Sequence, residues 1–254
     1  MSMFDHYFRE IYGDRWSRLL SALSKPHQKG VRNCFGGYSS YVMDSASIRA
    51  AEALGVIPGE SILDMCAAPG GKSLVLLEAL QGRGELIANE LSSDRRRRLK
   101  EVIEKCVPAG LQPTIRVTGF DGNRFGLQRK EAFDRVLLDA PCSSERHLLA
   151  EDPEMADWKE SRTLQLARRQ YSLICSALLT LKKGGTLVYS TCSISPSEND
   201  GVIERLFDRK QASVVLAPTL PDLETWERTR FGYQIFPDQG EGAGPIYLSR
   251  LVKI

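Results

Sequence analysis

The sequence contains no apolar run that approaches the roughly 20 residues needed to cross a membrane. Its first residues also lack the apolar core of a secretion signal. The acidic residues Asp5, Glu10 and Asp14 argue against an intact transit peptide. We therefore expect a protein that does not associate with a membrane.

Cysteines with metal-binding or disulfide-forming spacing are also missing. The six cysteines are scattered, and no two have C-x-x-C spacing: Cys34, Cys66, Cys106, Cys142, Cys175 and Cys192. This spacing indicates neither a zinc site nor a disulfide framework. We expect reduced, intracellular thiols and no bound metal.

Neither sign of charge is in excess. The chain has 34 Lys and Arg against 32 Asp and Glu, which gives a net charge of +2. This balance neither requires nor excludes a nucleic-acid partner, because a local basic patch is compatible with a balanced total. The 254 residues are enough for a full hydrophobic core in one α/β domain.

Helical and extended patterns alternate along most of the chain. Residues 3–24 have helical spacing of aromatic and aliphatic side chains, and we expect these side chains to pack in the core. We assign 1–45 to a helical extension and linker. Within 46–254, we predict helices over 47–54, 74–80, 94–105 and 166–183, and strands over 62–64, 85–89, 114–120, 133–138 and 186–190. Residues 233–236 and 246–252 are expected to form an antiparallel hairpin at the edge. The fold class is therefore α/β and Rossmann-like, with a mostly parallel seven-stranded sheet and helices on both faces.

One stretch organises this pattern: the first strand of the domain ends in Asp64, and a loop of small residues, 66–71, opens the next helix. A phosphate-binding loop needs a glycine where Cys66 stands, and a G-x-G-x-x-G pattern is absent. A strand–turn–helix of this kind still presents backbone N–H groups to a nucleotide-like ligand. A turn without any ligand is the alternative.

Acids and thiols follow the strands at their carboxyl ends, where ligands of parallel sheets bind: Asp64, Glu90, Asp121, Asp139, Cys142 and Cys192. Acids suit ribose hydroxyls, an adenine amino group and a cationic amine. S-adenosylmethionine (SAM) has all three and no phosphate. Arg95 to Arg98 are expected to be a solvated helix face, except that Arg95 borders the ligand crevice.

Two of the strand ends carry thiol motifs. Asp139-Ala140-Pro141-Cys142 has a thiol where amino-group methyltransferases often have an aromatic ring, and Tyr189-Ser190-Thr191-Cys192-Ser193 brings a second thiol from the neighbouring strand. Either cysteine alone is more simply a buried structural residue. Two thiols in one crevice favour chemistry on a pyrimidine ring.

These motifs and 64–72 together resemble the RsmB/NSUN family of SAM-dependent RNA cytosine-5 methyltransferases, over about 41–254. The resemblance implies that the cofactor site comprises Cys66, Ala67, Ala68, Pro69, Gly70, Gly71, Lys72, Ser73, Glu90, Arg95, Asp121, Gly122 and Asp139. It also implies that Cys192 is the nucleophile and that Cys142 helps to release the product. Lys72 is then the nearest cation to favour a thiolate, and Asp139 anchors the amino edge or ring nitrogen of cytosine.

The chain departs from the common family pattern at Met43-Asp44, at Ser144, where glycine is frequent, and at 244–247. The last of these, with Phe4 to Trp16 and Arg146-His147, resembles the mitochondrial branch. That branch implies ribosomal RNA as the favoured substrate and tRNA as the second. It implies a mitochondrial location for a eukaryotic protein and a cytoplasmic one for a bacterial protein.

No separate RNA-binding domain is recognised, so binding is expected to need long structured RNA or a basic or RNA-binding partner protein. We also expect the protein to be a monomer. In the expected reaction, the Cys192 thiolate adds to carbon 6 of cytosine and carbon 5 takes the methyl group. A methyltransferase acting on another pyrimidine or on DNA stays open, as does an inactive RNA-binding relative.

Overall fold

The structure is a computed structural model that describes residues 2–26, 29–155, 157–210, 213–217, 226–239 and 243–254. Its helices are α1 (Met3–Tyr12), α2 (Trp16–Leu23), α3 (Ser45–Glu52), α4 (Gly71–Ala79), α5 (Ser93–Cys106), α6 (Gly122–Gln128), α7 (Glu145–Glu151), α8 (Glu160–Thr180) and α9 (Asp200–Lys210). Its strands are β1 (Gly30–Cys34), β2 (Ser39–Met43), β3 (Ser61–Asp64), β4 (Glu85–Asn89), β5 (Ile115–Thr118), β6 (Phe133–Asp139), β7 (Leu181–Thr191), β8 (Val214–Leu216), β9 (Glu227–Arg228), β10 (Tyr233–Ile235) and β11 (Ile246–Lys253).

Five parallel strands form the centre of the main sheet, in the spatial order β5-β4-β3-β6-β7. The antiparallel strand β11 follows β7, and β10 and β9 continue the sheet beyond it. The chain order reverses between β3 and β6. Their carboxyl ends therefore flank the kind of crevice in which α/β proteins bind ligands.

Helices cover both faces of the sheet, as predicted. Ile62 packs against α3 and α4 on one face, whereas Leu63 packs against α6 and α8 on the other. The same alternation holds for Leu86 and Ile87, because successive side chains of a strand point to opposite faces. The α/β class with a mainly parallel sheet and an antiparallel hairpin is thus confirmed.

The predicted count of seven strands is wrong, because the described part of the chain forms a main sheet of nine. The short strands β8 and β9 pair with β11 and β10, and two or three residues are too few to show an alternating pattern. The prediction also missed the separate ribbon of β1 and β2, which lies within the expected helical extension and linker, 1–45.

The predicted helix over 3–24 is two helices. A 3₁₀ turn at Gly13–Arg15 divides them, and Gly13 has a φ of 52°, which ends α1. The expected core packing of the aromatic side chains is confirmed, since Phe4, Phe8 and Trp16 are at most 1% exposed. They contact Trp158 and Ile194, so this helical pair packs beside the loop that follows β7.

The predicted helix over 166–183 ends at Thr180, and β7 begins at Leu181 rather than at Thr186. Leu181 pairs with Phe133 of β6 in front of a bulge, so tertiary pairing extends the strand beyond its local pattern.

Among the described residues, no helix combines the length and the apolar character that a membrane crossing requires.

Candidate functional site

The two thiol motifs lie side by side because of the strand register. Asp139 of β6 pairs with Ser190 of β7, so the loops that follow the two strands leave the sheet together. Cys142 and Cys192 are 50 residues apart in the chain, and their Sγ atoms are 2.8 Å apart. The structure therefore brings both predicted thiols to one point at the carboxyl end of the sheet.

The surroundings of the two thiols are unequal. Ser144 Oγ lies 2.7 Å from the Cys192 Sγ and 3.5 Å from that of Cys142. Hydrogen bonds from Cys142 and Ser144 lower the pKa of the Cys192 thiol against the opposing effect of burial. The hydrogen bond with Cys192, together with burial, raises the pKa of the Cys142 thiol. The opposite directions of the two pKa shifts favour the thiolate at Cys192 over the thiolate at Cys142.

Lys72 and Asp139 form a half-buried ion pair near Cys192. The Lys72 Nζ lies 2.9 Å from an Asp139 oxygen, and Ser190 Oγ donates to the other oxygen at 2.9 Å. Burial disfavours the ammonium, but the charge of Asp139 and its hydrogen bond outweigh burial, so the pKa of Lys72 is raised. A permanent positive charge therefore stands close to Cys192.

The glycine loop brings the backbone close to β2. Gly70 directly precedes α4 and has a φ of 120°, and a Cβ on Gly71 would lie 2.8 Å from the Tyr41 ring. Any side chain on Gly71 would therefore displace Tyr41. The loop follows β3 and is tied to β4 by the hydrogen bond that Ala67 N donates to Asn89 O, at 2.8 Å.

A cavity of about 800 Å³, here called the large cavity, opens at the switch between β3 and β6. Most predicted cofactor residues border it: Cys66, Lys72, Glu90, Arg95, Asp121, Gly122 and Asp139. A smaller cavity of about 270 Å³, the loop cavity, is bordered by Ala67, Ala68, Pro69 and Gly71.

Two of the predicted cofactor residues border neither cavity. Ser73 is fully buried and donates to Asp64 at 2.7 Å. Gly70 packs against Leu99 and Val102 of α5. Ser73 and Gly70 therefore stabilise the conformation of the loop and are not in a position to contact a ligand in either cavity.

The chemistry of the large cavity fits SAM. Glu90 is 5% exposed, and its Oε2 accepts no hydrogen bond from the described residues, although Arg95 lies 3.5 Å away. Asn123 Oδ1 is a second buried acceptor without a donor among the described residues, and Asn123 also borders this cavity. Two such acceptors need donors, which the hydroxyls of a ribose and the amino group of an adenine provide.

A third cavity, of about 400 Å³ and here called the side cavity, lies on the other side of Cys192. Cys192, Ser144 and Ser47 border both the side cavity and the large cavity. Basic side chains from three parts of the chain line the side cavity: Lys25, Lys29, Arg146 and His147. A group held here and a group held in the large cavity meet at Cys192.

The sequence interpretation missed several polar residues of the site. Ser144, which the sequence shows only as a departure from a frequent glycine, directly precedes α7 with a φ of 53°, and its hydroxyl contacts Cys192. Glu145 and Glu198 are both 0% exposed and lie beneath the two cysteine loops. The available signal was a serine directly after each cysteine, at Ser143 and Ser193.

The comparisons with known proteins agree with this geometry. Residues 51–252 match the family described as 16S rRNA methyltransferase RsmB/F. The chain is 37% identical over 224 residues to a mitochondrial tRNA (cytosine(34)-C(5))-methyltransferase of Danio rerio, covering 84% of this chain and 60% of that protein. It is 34% identical over 230 residues to the 5-cytosine rRNA methyltransferase NSUN4 of Bos taurus, covering 84% and 59%. The chain thus spans about 60% of the length of these relatives.

Solved structures show the same fold. A methyltransferase homolog protein from Pyrococcus horikoshii superimposes with a TM-score of 0.76 at 22% identity, over 98% of this chain and 95% of that one. NSun6 from Pyrococcus horikoshii, solved with the SAM analogue SFG, gives a TM-score of 0.70 at 26% identity, over 85% and 53%. The expected cofactor, SAM, is thereby confirmed as that of the family. The resemblance of the motifs is also confirmed, and the chain belongs to the RsmB/F family of RNA methyltransferases.

Proposed function

We propose that this protein transfers the methyl group of SAM to carbon 5 of a cytosine in RNA, through a covalent bond between Cys192 and carbon 6. One observation carries the proposal: two thiols lie 2.8 Å apart at the large cavity, and one of them, Cys192, also borders the side cavity. The reaction class is supported by the relatives, which are a tRNA (cytosine(34)-C(5))-methyltransferase and a 5-cytosine rRNA methyltransferase.

The large cavity holds the cofactor in this proposal. Glu90 accepts hydrogen bonds from the ribose hydroxyls, and Asp121 faces the adenine edge. Gly122, which borders this cavity, lets α6 pack closely against α8, since a Cβ at Gly122 would lie 2.8 Å from Leu173. When bound, SAM supplies an electrophilic methyl group on a sulfonium.

The side chains around Cys192 then act in sequence. Its thiolate adds to carbon 6 of the ring and thereby makes carbon 5 nucleophilic. Carbon 5 would then take the methyl group as the bond between the methyl carbon and the sulfonium sulfur breaks, with that electron pair left on the sulfur. Asp139, held by Lys72 and Ser190, hydrogen-bonds the amino edge or ring nitrogen of cytosine. Loss of the carbon-5 proton to a base restores the double bond and expels the Cys192 thiolate. Cys142, whose Sγ lies 2.8 Å from that of Cys192, assists this release in the proposal.

The side cavity admits the target nucleotide. A base inside a helix does not reach Cys192, so the cytosine must be unstacked before it enters. Lys25, Lys29 and Arg146 supply positive charge where the phosphates flanking that nucleotide would pass.

Ribosomal RNA is the favoured substrate, and a tRNA is the second candidate. The family description and NSUN4 support the first, and the Danio rerio relative supports the second. We propose that 46–254 form the catalytic domain of a monomer that binds structured RNA, aided by a basic or RNA-binding partner protein. A bacterial protein would act in the cytoplasm and a eukaryotic one in mitochondria.

The test combines methyl transfer with trapping of the covalent bond. With isotopically labelled SAM and small-subunit rRNA or tRNA, nucleoside mass spectrometry is expected to find labelled 5-methylcytidine. Cys192→Ala is expected to give no product and no adduct. Cys142→Ala is expected to methylate but not to release, leaving a protein–RNA complex that survives denaturing electrophoresis.

The opposite pattern would assign the attack to Cys142, as in the DNA-type enzymes, and would overturn the roles proposed here. A labelled methyl group on uridine would contradict the proposed substrate. So would transfer to DNA in a parallel reaction, if the cytidines of the RNA stay unlabelled. No transfer to either RNA, with SAM bound, would favour an inactive RNA-binding protein. Cys175→Ala is the matched control, because that thiol lies on α8, outside all three cavities.

A further inference from the structure

A hydrogen-bonded cluster of serines and glutamates joins the two cysteine loops beneath the thiols. Ser143 follows Cys142 and Ser193 follows Cys192, and their Oγ atoms are 3.1 Å apart. Ser143 Oγ contacts both Glu145 and Glu198, and Ser193 Oγ contacts Glu145 at 2.8 Å. The cluster therefore ties together the two loops that carry the thiols.

Backbone hydrogen bonds extend this cluster to both loops. Glu145 accepts from Ile194 N at 3.0 Å, two residues beyond Cys192. Glu198 accepts from Ser143 N at 3.0 Å, next to Cys142. Gln170 of α8 donates both to Glu198, at 2.7 Å, and to Pro141 O, at 2.9 Å. Each carboxyl thus holds the loop that belongs to the other motif.

The cluster needs one more hydrogen than the serines provide. Three oxygen–oxygen contacts of 2.8 Å or less join Ser143 and Ser193 to the two glutamates, and two hydroxyls supply only two hydrogens. The third contact requires a hydrogen on a carboxyl group. No Lys or Arg in the described ranges forms an ion pair with either glutamate, so no nearby cation substitutes for that proton.

The electrostatics agree with this hydrogen count. Burial and the charge of Glu145 raise the pKa of Glu198 to about 7. Burial also raises the pKa of Glu145. The remaining titratable groups around the cluster are Tyr12 on α1, Tyr189 on β7, and the two thiols, and the pKa values of both tyrosines are raised by burial.

We propose that Glu145 and Glu198 are positioning residues that share one proton and hold the Cys142 and Cys192 loops at the separation the reaction requires. Their part in catalysis rests on the proposed function, whereas their effect on the thiols does not. Neither glutamate borders the large, loop or side cavity, so both act through their hydrogen bonds to the segments that follow Cys142 and Cys192.

The first experiment measures the thiols without RNA. In Glu198→Gln, the amide oxygen accepts from Ser143 N and Gln170, and the amide N–H groups replace the shared proton. We expect Cys192 to be alkylated by iodoacetamide with the pH dependence of the unmodified protein. In Glu198→Ala, we expect the Cys142 Sγ to lose its hydrogen bond with the Cys192 Sγ, which disfavours the Cys192 thiolate. Alkylation of Cys192 at pH 7 should therefore slow by about tenfold or more. Glu104→Ala, an exposed glutamate on α5, is the control.

The second experiment uses stability against pH. A glutamate with a raised pKa stabilises the fold while it is protonated, and this stability is lost as pH rises through about 7. The melting temperature of Glu198→Gln should therefore fall less between pH 5.5 and 8.5 than that of the unmodified chain. This comparison remains valid if Glu198→Ala does not fold.

Unchanged alkylation in a folded Glu198→Ala, or an equal pH dependence of melting in Glu198→Gln, would overturn the proposal. Failure of the proposed function has a different signature, namely normal thiol reactivity with no methyl transfer. In active protein, single-turnover adduct formation should slow in Glu198→Ala and recover in Glu198→Gln, with SAM affinity unchanged in both.

Discussion

At the residue scale, Ser144 combines an unfavourable backbone conformation with a hydroxyl that contacts Cys192. Its φ of 53° is a conformation that costs a non-glycine residue about 1–2 kcal/mol. Its hydroxyl is also the group nearest to Cys192 Sγ, at 2.7 Å. The strain is therefore accompanied by a donor that favours the Cys192 thiolate.

We expect Ser144→Gly and Ser144→Ala to slow alkylation of Cys192 at pH 7 by roughly tenfold, the equivalent of the ~1.5 kcal/mol of a hydrogen bond to a charged group. Only the glycine variant removes the backbone strain, so it should be the more stable of the two in urea unfolding. Equal alkylation rates in both variants and in the unmodified protein would show that the hydroxyl has no influence. Ser17→Ala, on α2, is the control.

Glu90 is the second residue whose role is open to a direct measurement. Its buried Oε2 has no donor among the described residues. Glu90→Ala should weaken SAM binding by ~2–5 kcal/mol, as expected when hydrogen bonds to a charged partner are lost in a desolvated site. Isothermal calorimetry is the measurement, with Glu104→Ala as the reference. Unchanged affinity would remove Glu90 from the cofactor site.

At the element scale, the α1–α2 pair is attached to the catalytic loops and does not merely precede them. Trp16 stacks on Phe8 with ring centroids 5.1 Å apart, and Phe4 contacts Trp158 edge-on. The hydroxyl of Tyr12 donates to Ile194 O, in the segment that follows Cys192. Packing of this pair is therefore expected to stabilise that segment.

Trp16→Ala should destabilise the protein by about 3–5 kcal/mol, the usual cost of removing a buried aromatic side chain. Ile11→Ala, at an exposed position of α1, should cost less than about 1 kcal/mol. Urea unfolding measures both. A Trp16→Ala variant as stable as Ile11→Ala would mean that the helical pair is independent of the rest of the fold.

At the scale of the whole molecule, the charge is almost balanced, but the side cavity is basic. Lys25 and Lys29 line it, and neither forms an ion pair with a residue that the structure describes. RNA binding should therefore be weak for short strands and concentrated at this cavity.

Lys25→Ala combined with Lys29→Ala should weaken RNA binding and reduce the slope of log affinity against log salt by about 1.4, two contacts at roughly 0.7 each. Filter binding over a salt series gives the slope. SAM affinity should not change. The pair Lys100→Ala and Lys105→Ala, exposed on α5, is the matched control. An equal slope in both double variants would place the RNA elsewhere.

Much of the fold and part of the site followed from local signals. The alternation of strands and helices, the acids at the strand ends and the small-residue loop are short-range patterns, and they are visible because strands and helices bury residues with different periods. The same patterns placed Glu90, Asp121 and Asp139 at one crevice. They did not reveal β8 and β9, which are too short to have a period.

By itself, the sequence determined the α/β class, the crevice at the strand ends and the pair of thiol motifs, because each depends on residues that are close along the chain. Only the tertiary structure decided which groups meet. Lys72 and Asp139 are 67 residues apart and Cys142 and Cys192 are 50 apart, and the pairing of β6 with β7 and of β3 with β6 brings them into contact. The shared proton of Glu145 and Glu198 and the hydroxyl of Ser144 at Cys192 have the same origin, since strand order and register set those distances and no local pattern encodes them.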